Sequence, residues 1–209
     1  QFGLVNEPRN MPTETWGQAA QAAIDAIRAT GATNLITVPG NGYTGAWSWF
    51  ESTWYGTPNA EVMAKVRDPL DHMVFEVHQY LDKDGSGTNP ECVSPQIGVE
   101  RLQRFTAWLK QHQRRALLGE LGGGANAVCE QAVAGALRHL QANADVWTGW
   151  LWWAGGPSWG DYFLSLEPAA DGKDKPQMRW LEPHLPIRPS SISTSTSSPV
   201  GSAASGRAN

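Results

Sequence analysis

The sequence predicts an α/β protein built on a parallel sheet, either an open sheet or part of a (β/α)8 barrel. Two observations predict it. Short apolar runs begin near residues 2, 34, 73, 116 and 146, with stretches of helical period between them. That alternation is the pattern of parallel strands joined by right-handed crossovers. The runs also end alike, passing from apolar residues into Asn6-Glu7, His78-Gln79-Tyr80, Glu120 and Trp153. The carboxyl ends of barrel strands are where such folds keep their chemistry.

The 209 residues and 41% hydrophobic content suit one sizeable domain. A net charge of −4 and the lack of a Lys/Arg cluster give no footprint for nucleic acid. No apolar run approaches the roughly 20 residues that span a bilayer, so no membrane partner is expected. The eleven tryptophans are far above ordinary usage. About half are expected in the core, and the rest offer flat apolar surfaces to the C–H faces of sugar rings. With only 17% charged residues, the composition suits an uncharged, polyhydroxylated substrate. The chain opens at Gln1 inside an expected strand, without Met or a signal-like segment, and residues upstream are expected.

Residues 2–5 read as a buried strand, which Pro8 ends by removing a ladder donor. Thr13 or Thr15 is expected to cap the following helix, with Thr15 and Gln18 as a capping box. Trp16, Ala19, Ala20, Ala23, Ile24 and Ile27 form its apolar face, and Gly31 stops it. A strand over 34–38 ends at Pro39-Gly40-Asn41-Gly42. The loop over 43–58 carries Trp47, Trp49 and Trp54, more indole than loop stability requires, and is expected to contact a ligand. A short helix is expected over 59–66 and a strand over 73–77.

Asp82-Lys83-Asp84-Gly85-Ser86-Gly87-Thr88 mimics the start of a calcium loop. Val93 stands where its bidentate acid belongs, so the segment reads as a surface turn. Ser94-Pro95 opens a helix with Val99, Leu102, Phe105 and Leu109 as its core stripe. The strand over 116–119 leads to Glu120. The Gly122-Gly123-Gly124 turn after it lacks the Lys and Ser/Thr of a phosphate loop. Val128, Ala132, Val133, Ala136, Leu137 and Leu140 mark the next helix, 146–153 the fifth strand, and 175–185 a last short helix. Residues 186–209, dominated by Ser, Thr, Pro, Gly and Ala, read as a linker or disordered tail. Cys92 and Cys129 are too few for a zinc site and, each just beyond a strand end, are read as one disulfide. No metal or cofactor is expected.

Two glutamates after buried strands, with His and Tyr after the strand between them, read as a catalytic pair. Asn6-Glu7-Pro8, His78-x-Tyr80, Gly119-Glu120 and Trp153 closely resemble glycoside hydrolase family 5, above all its endo-β-1,4-glucanases, the cellulases. The likeness covers nearly all of residues 1–185. It implies a (β/α)8 TIM barrel, present here as an incomplete barrel of about five strands with their helices, and a retaining double displacement. Glu7 would be the general acid/base and Glu120 the nucleophile. Asn6 would hydrogen-bond the sugar 2-hydroxyl, Tyr80 would hydrogen-bond Glu120, and His78 would set the protonation of the carboxylates. Trp153 would be the sugar platform at the cleavage point, while Tyr43, Trp47 and Trp49 would line the leaving-group side.

Retaining hydrolysis needs two carboxyls about 5–5.5 Å apart. So close a pair does not easily ionise together, and one of them keeps its proton. Family members carry an arginine and a further histidine on strands preceding the Asn-Glu pair, and five strands do not close a barrel. The chain is therefore expected to be the C-terminal part of a longer catalytic domain, poorly stable and nearly inactive alone. A monomer is expected, secreted because a β-glucan polymer does not enter cells. Competing readings are a non-catalytic, Trp-rich carbohydrate-binding protein and a related hydrolase of mannan, xylan or mixed-linkage glucan.

Overall fold

In the computed structural model, residues 1–52 and 55–185 are described. Five strands, β1 (Phe2–Gly3), β2 (Ile36–Pro39), β3 (Met73–Tyr80), β4 (Ala116–Gly122) and β5 (Trp147–Trp152), form one sheet in sequence order. Every neighbouring pair is parallel. The connections carry α1 (Thr13–Ala29), α2 (Asn59–Val62), α3 (Ile97–Gln111) and α4 (Ala127–Ala142), and α5 (Met178–Leu181) follows the last strand. Consecutive parallel strands with helical crossovers in unbroken order are an arc of a (β/α)8 barrel. Among the described residues no helix is long and apolar enough to cross a membrane.

The core lies between the sheet and its helices. Ala20 and Ile24 of α1, Leu102, Phe105 and Leu109 of α3, and Val133 and Leu137 of α4 are all buried. Trp49, Phe75, Phe105 and Trp108 knit it together, with Trp49 edge-on to the other three at centroid distances of 5.7, 4.9 and 5.5 Å. Edge-to-face rings add to the burial of their area. Among the described residues, Trp16, Trp49, Trp108, Trp147 and Trp180 are core tryptophans.

Several expectations need correction. Residues 2–5 are not buried: Phe2 is 43% and Val5 47% exposed. Within the described sheet β1 pairs on one side only, with β2, so its side chains lack a second neighbour to cover them. The capping box is absent. Pro12 occupies the cap of α1, and the Thr13 hydroxyl donates to the Tyr55 carbonyl instead. Trp49, expected to meet a ligand, is fully buried against Phe75 and Phe105; a short 3-10 helix, Trp47–Phe50, turns it inward. Trp54 and the tail over 186–209 lie outside the described residues.

The turn after β3 is only partly a surface one. Asp82 is 3% exposed and accepts hydrogen bonds from the backbone N–H of Gly87 and Asn89. Its carboxylate thus organises the loop. Cys92 and Cys129 are bonded, with Cα atoms 5.2 Å apart. The bond ties the segment after β3 to the first turn of α4, which Asn126 caps through the Cys129 N–H.

Candidate active site

Side chains alternate along a strand, so Phe75 and Val77 face the helices while Glu76, His78 and Tyr80 share the opposite face. β4 would present Glu120 to the wrong side if it paired without interruption. Val77 pairs with Leu118 but His78 pairs with Glu120, which makes Gly119 an extra residue, a β-bulge. The insertion shifts the period by one and turns Glu120 onto the face of His78.

Glu7 arrives from the end of β1 through a turn at φ 45°, in the left-handed region that a β-carbon resists. Backbone strain of this kind is held by its surroundings and concentrates at functional sites. Pro8, buried, accepts the N–H of Tyr43 and fixes the turn from behind.

The three strand ends converge. His78 Nδ1 lies 2.7 Å from a Glu7 oxygen and 3.4 Å from a Glu120 oxygen. One carboxylate oxygen of Glu7 and one of Glu120 lie within 4.8 Å of each other. Tyr80 donates its hydroxyl to Glu120 at 2.5 Å. The second nitrogen of His78 lies 3.7 Å from Glu76.

Burial works against a charge on His78, but the hydrogen bond to Glu7 and the carboxylates of Glu76 and Glu120 beside it win, lifting its pKa to about 9. Burial raises Glu120 above the usual carboxylate range. The His78 charge and the Tyr80 hydroxyl pull it down, and the charges of Glu7 and Glu76 push it up. Burial and its hydrogen bond to Glu120 raise the Tyr80 phenol.

Glu7, His78 and Glu120 have a spacing that metal ligands use. Their protonation does not suit a metal. Both ring nitrogens of His78 face carboxylates, which favours the imidazolium, and an imidazolium has no lone pair to give.

Beside Glu7, His78 and Tyr80 opens a groove of about 600 Å³, bordered by Tyr43, Trp47, Ser48, Asp84 and Ser86. Tyr43 and Trp47 are partly exposed there, Tyr43 beneath the Arg9 guanidinium at 5.0 Å. Trp47 donates its backbone N–H to Gln79, and Arg101 lies 5.3 Å over its ring. Arg101 also donates to the carbonyls of Tyr80 and Lys83, so one buried guanidinium joins the end of β3, its loop and the Trp47 wall. Gly87, at φ 72°, lets the loop lie on the Tyr80 ring, where a β-carbon would come within 2.6 Å.

Asn6 is exposed beside Glu7, and its side chain makes no hydrogen bond with the described residues. Trp153 leaves β5 with its N–H on Leu121 and its ring 5.0 Å from Trp159. Sequence reasoning missed Glu76, Arg101 and Tyr162. Tyr162 is raised by burial and by the Glu120 charge, which puts it near the pair. Its only sequence signal is the aromatic cluster Trp159, Tyr162 and Phe163 beyond β5.

Residues 1–156 match the cellulase family, glycosyl hydrolase family 5. The chain is 54% identical to endoglucanase 3 of Humicola insolens over 168 residues, 80% of this chain and 42% of that protein. Its backbone follows an endo-β-1,4-glucanase of Xanthomonas axonopodis pv. citri at a TM-score of 0.85 and 50% identity, over 88% of this chain and 58% of that one. XacCel5A, solved in complex with cellopentaose, is matched at 0.85 and 48% identity, over 88% and 59%. The chain thus spans about half the length of these relatives. A parallel arc of barrel strands, two carboxylates meeting at their ends and a match over three-quarters of the sequence make one conclusion: the chain belongs to glycosyl hydrolase family 5, the cellulases.

Proposed function

We propose that this chain carries the catalytic pair of a retaining endo-β-1,4-glucanase acting on cellulose or a related β-glucan. The observation that carries the reading is the approach of Glu7 and Glu120 to within 4.8 Å, with the His78 imidazole between them. That spacing leaves no room for a water between carboxylate and sugar, so direct attack is favoured over inversion.

In the first step Glu7 protonates the glycosidic oxygen while Glu120 attacks the anomeric carbon from the opposite face. The C–O bond breaks, the leaving sugar departs with the proton, and a glycosyl ester forms on Glu120. Water then attacks the same carbon, gives its proton to Glu7, and releases Glu120 as a carboxylate. Two inversions restore the starting configuration.

The pair must be sorted into one acid and one ionised nucleophile. Burial and the neighbouring acids push Glu120 toward its neutral form; the His78 charge and the Tyr80 donor oppose them. Those two donors favour the ionised Glu120 that nucleophilic attack requires. Asn6 is assigned to the 2-hydroxyl, Trp153 to the platform at the cleavage point, and Tyr43 and Trp47 to the leaving-group side. The cellopentaose bound by XacCel5A supports a linear β-glucan as ligand.

Residues 1–185 are assigned to the C-terminal part of the catalytic domain. The protein is assigned to the extracellular space, where a polymeric substrate is met, and to a monomeric state.

Glu120→Gln tests the reading. Measured on the full-length protein with a soluble cello-oligosaccharide, turnover falls by 10³-fold or more (order of magnitude) while binding persists. Retained turnover would sink it.

A further inference from the structure

Glu7 and Glu120 are not the only carboxylates at His78. Glu76 stands two residues before His78 on β3, on the same face, with a carboxylate oxygen 3.7 Å from Nε2. This distance is too long for a hydrogen bond, so the contact acts through charge. Its place is made by the bulge. A β-carbon at Gly119 would come within 2.4 Å of that same carboxylate, so the inserted residue of β4 has no side chain just where Glu76 needs room.

We propose that Glu76 is a positioning residue of this site: in the space left by Gly119, its carboxylate holds His78 as an imidazolium that serves Glu7 and Glu120 through the whole reaction. The groups that face the His78 ring are Glu7 from the end of β1, Glu76 from β3 and Glu120 from β4, with the Tyr80 hydroxyl on Glu120. Thr44 and Ala46, from the loop after β2, hydrogen-bond with the His78 backbone.

A neutral ring bonded to Glu7 through Nδ1–H would point its Nε2 lone pair at Glu76, and that repulsion selects the doubly protonated form. The need is greatest in mid-reaction. Once Glu120 is esterified, its charge no longer supports a proton on His78. Glu76 is never esterified and keeps that support in place. The ring can therefore keep its Nδ1–H on Glu7 in both halves of the reaction.

The isosteric variant Glu76→Gln tests this, with two readouts on the full-length protein. The first is the titration of the His78 ring nitrogens by ¹⁵N NMR, assigned through the signal lost in His78→Asn. The titration midpoint is expected to fall by about one pH unit or more on loss of the adjacent charge. The second is the pH profile of cello-oligosaccharide hydrolysis. Its alkaline limb moves down with the NMR midpoint, while turnover on the acid side stays within about threefold. Gly119→Ala, which crowds the same carboxylate, is expected to move the midpoint the same way.

An unmoved midpoint in Glu76→Gln, or an equal loss of turnover at every pH, overturns the proposal. The activity arm rests on the hydrolase reading, but the NMR arm does not. If Glu120→Gln kept turnover, the role of Glu76 at His78 would still be decided by titration.

Discussion

Tyr80 and Glu120 stand on neighbouring strands, and the phenol hydroxyl donates to the carboxylate at 2.5 Å. The bond exists because the Gly119 bulge brings Glu120 to the face that Tyr80 already occupies. It is one of two donors that oppose the burial of Glu120. Tyr80→Phe keeps the ring and removes the donor. Hydrogen bonds to charged groups are worth about 1.5–3 kcal/mol, so kcat/KM is expected to fall by about 10- to 100-fold. The Glu120 pKa rises further without the donor, so the acid limb of the pH profile moves to higher pH. An acid limb that stayed in place would remove Tyr80 from this role.

His78 links charge to stability. Its pKa is raised in the folded protein, from 6.5 to about 9. A raised pKa stabilises the fold fully below the unfolded value, and that contribution is lost as pH climbs through the folded one. Thermal unfolding midpoints should therefore drop between about pH 6.5 and 9. His78→Asn should flatten this part of the curve. The check is a set of melting curves across that range for both proteins.

Asp68 gives the opposite pH dependence at the other end of the scale. Its hydrogen bonds to Arg28, over 2.7 and 2.8 Å, hold its pKa at about 2 despite burial. A lowered carboxylate pKa gives stability that is present above the ordinary aspartate value of 3.8 and lost as pH falls through about 2. Asp68→Asn should lower the melting midpoint at neutral pH and bring it toward the parent's near pH 2. A constant difference across that range would contradict the assignment.

The disulfide closes a sequence separation of 37 between the segment after β3 and α4. Loops of that size predict a loss of about 2–4 kcal/mol on removal. Cys92→Ser with Cys129→Ser, or reduction with dithiothreitol, should lower the urea midpoint accordingly. The effect on turnover at low temperature should be smaller, since neither sulfur lies in the groove.

Trp47 and Trp49 stand two residues apart and should fail differently. Trp49→Ala empties a fully buried site among aromatic rings and is expected to cost about 3–5 kcal/mol. Trp47→Ala removes a groove wall, so oligosaccharide affinity falls while stability changes little. Urea unfolding and calorimetric binding separate the two.

The same pair marks where the sequence was legible and where it was not. Glu7 and Glu120 could be found because apolar runs stop abruptly at them, and strand ends gather at one rim whatever the packing details. Trp47 and Trp49 could not be told apart, because a four-residue 3-10 helix has no period long enough to define a face. The Gly119 bulge left no mark either. A glycine before a glutamate reads equally as strand or turn, and the extra residue is evident only once β4 is aligned with β3. Burial of β1 was overestimated for a related reason: apolar character records what a strand could cover, not how many neighbours it has. Tyr162 belongs to a stretch without strand or helix period, and it reaches the site through a loop beyond β5.

The account depends on Glu7 and Glu120 acting on one sugar from opposite faces with no water between them. Proton NMR of the anomeric signals in the first minutes of cello-oligosaccharide hydrolysis, before mutarotation, tests this most directly. The account predicts the β-anomer as the first product; an initial α-anomer would contradict it.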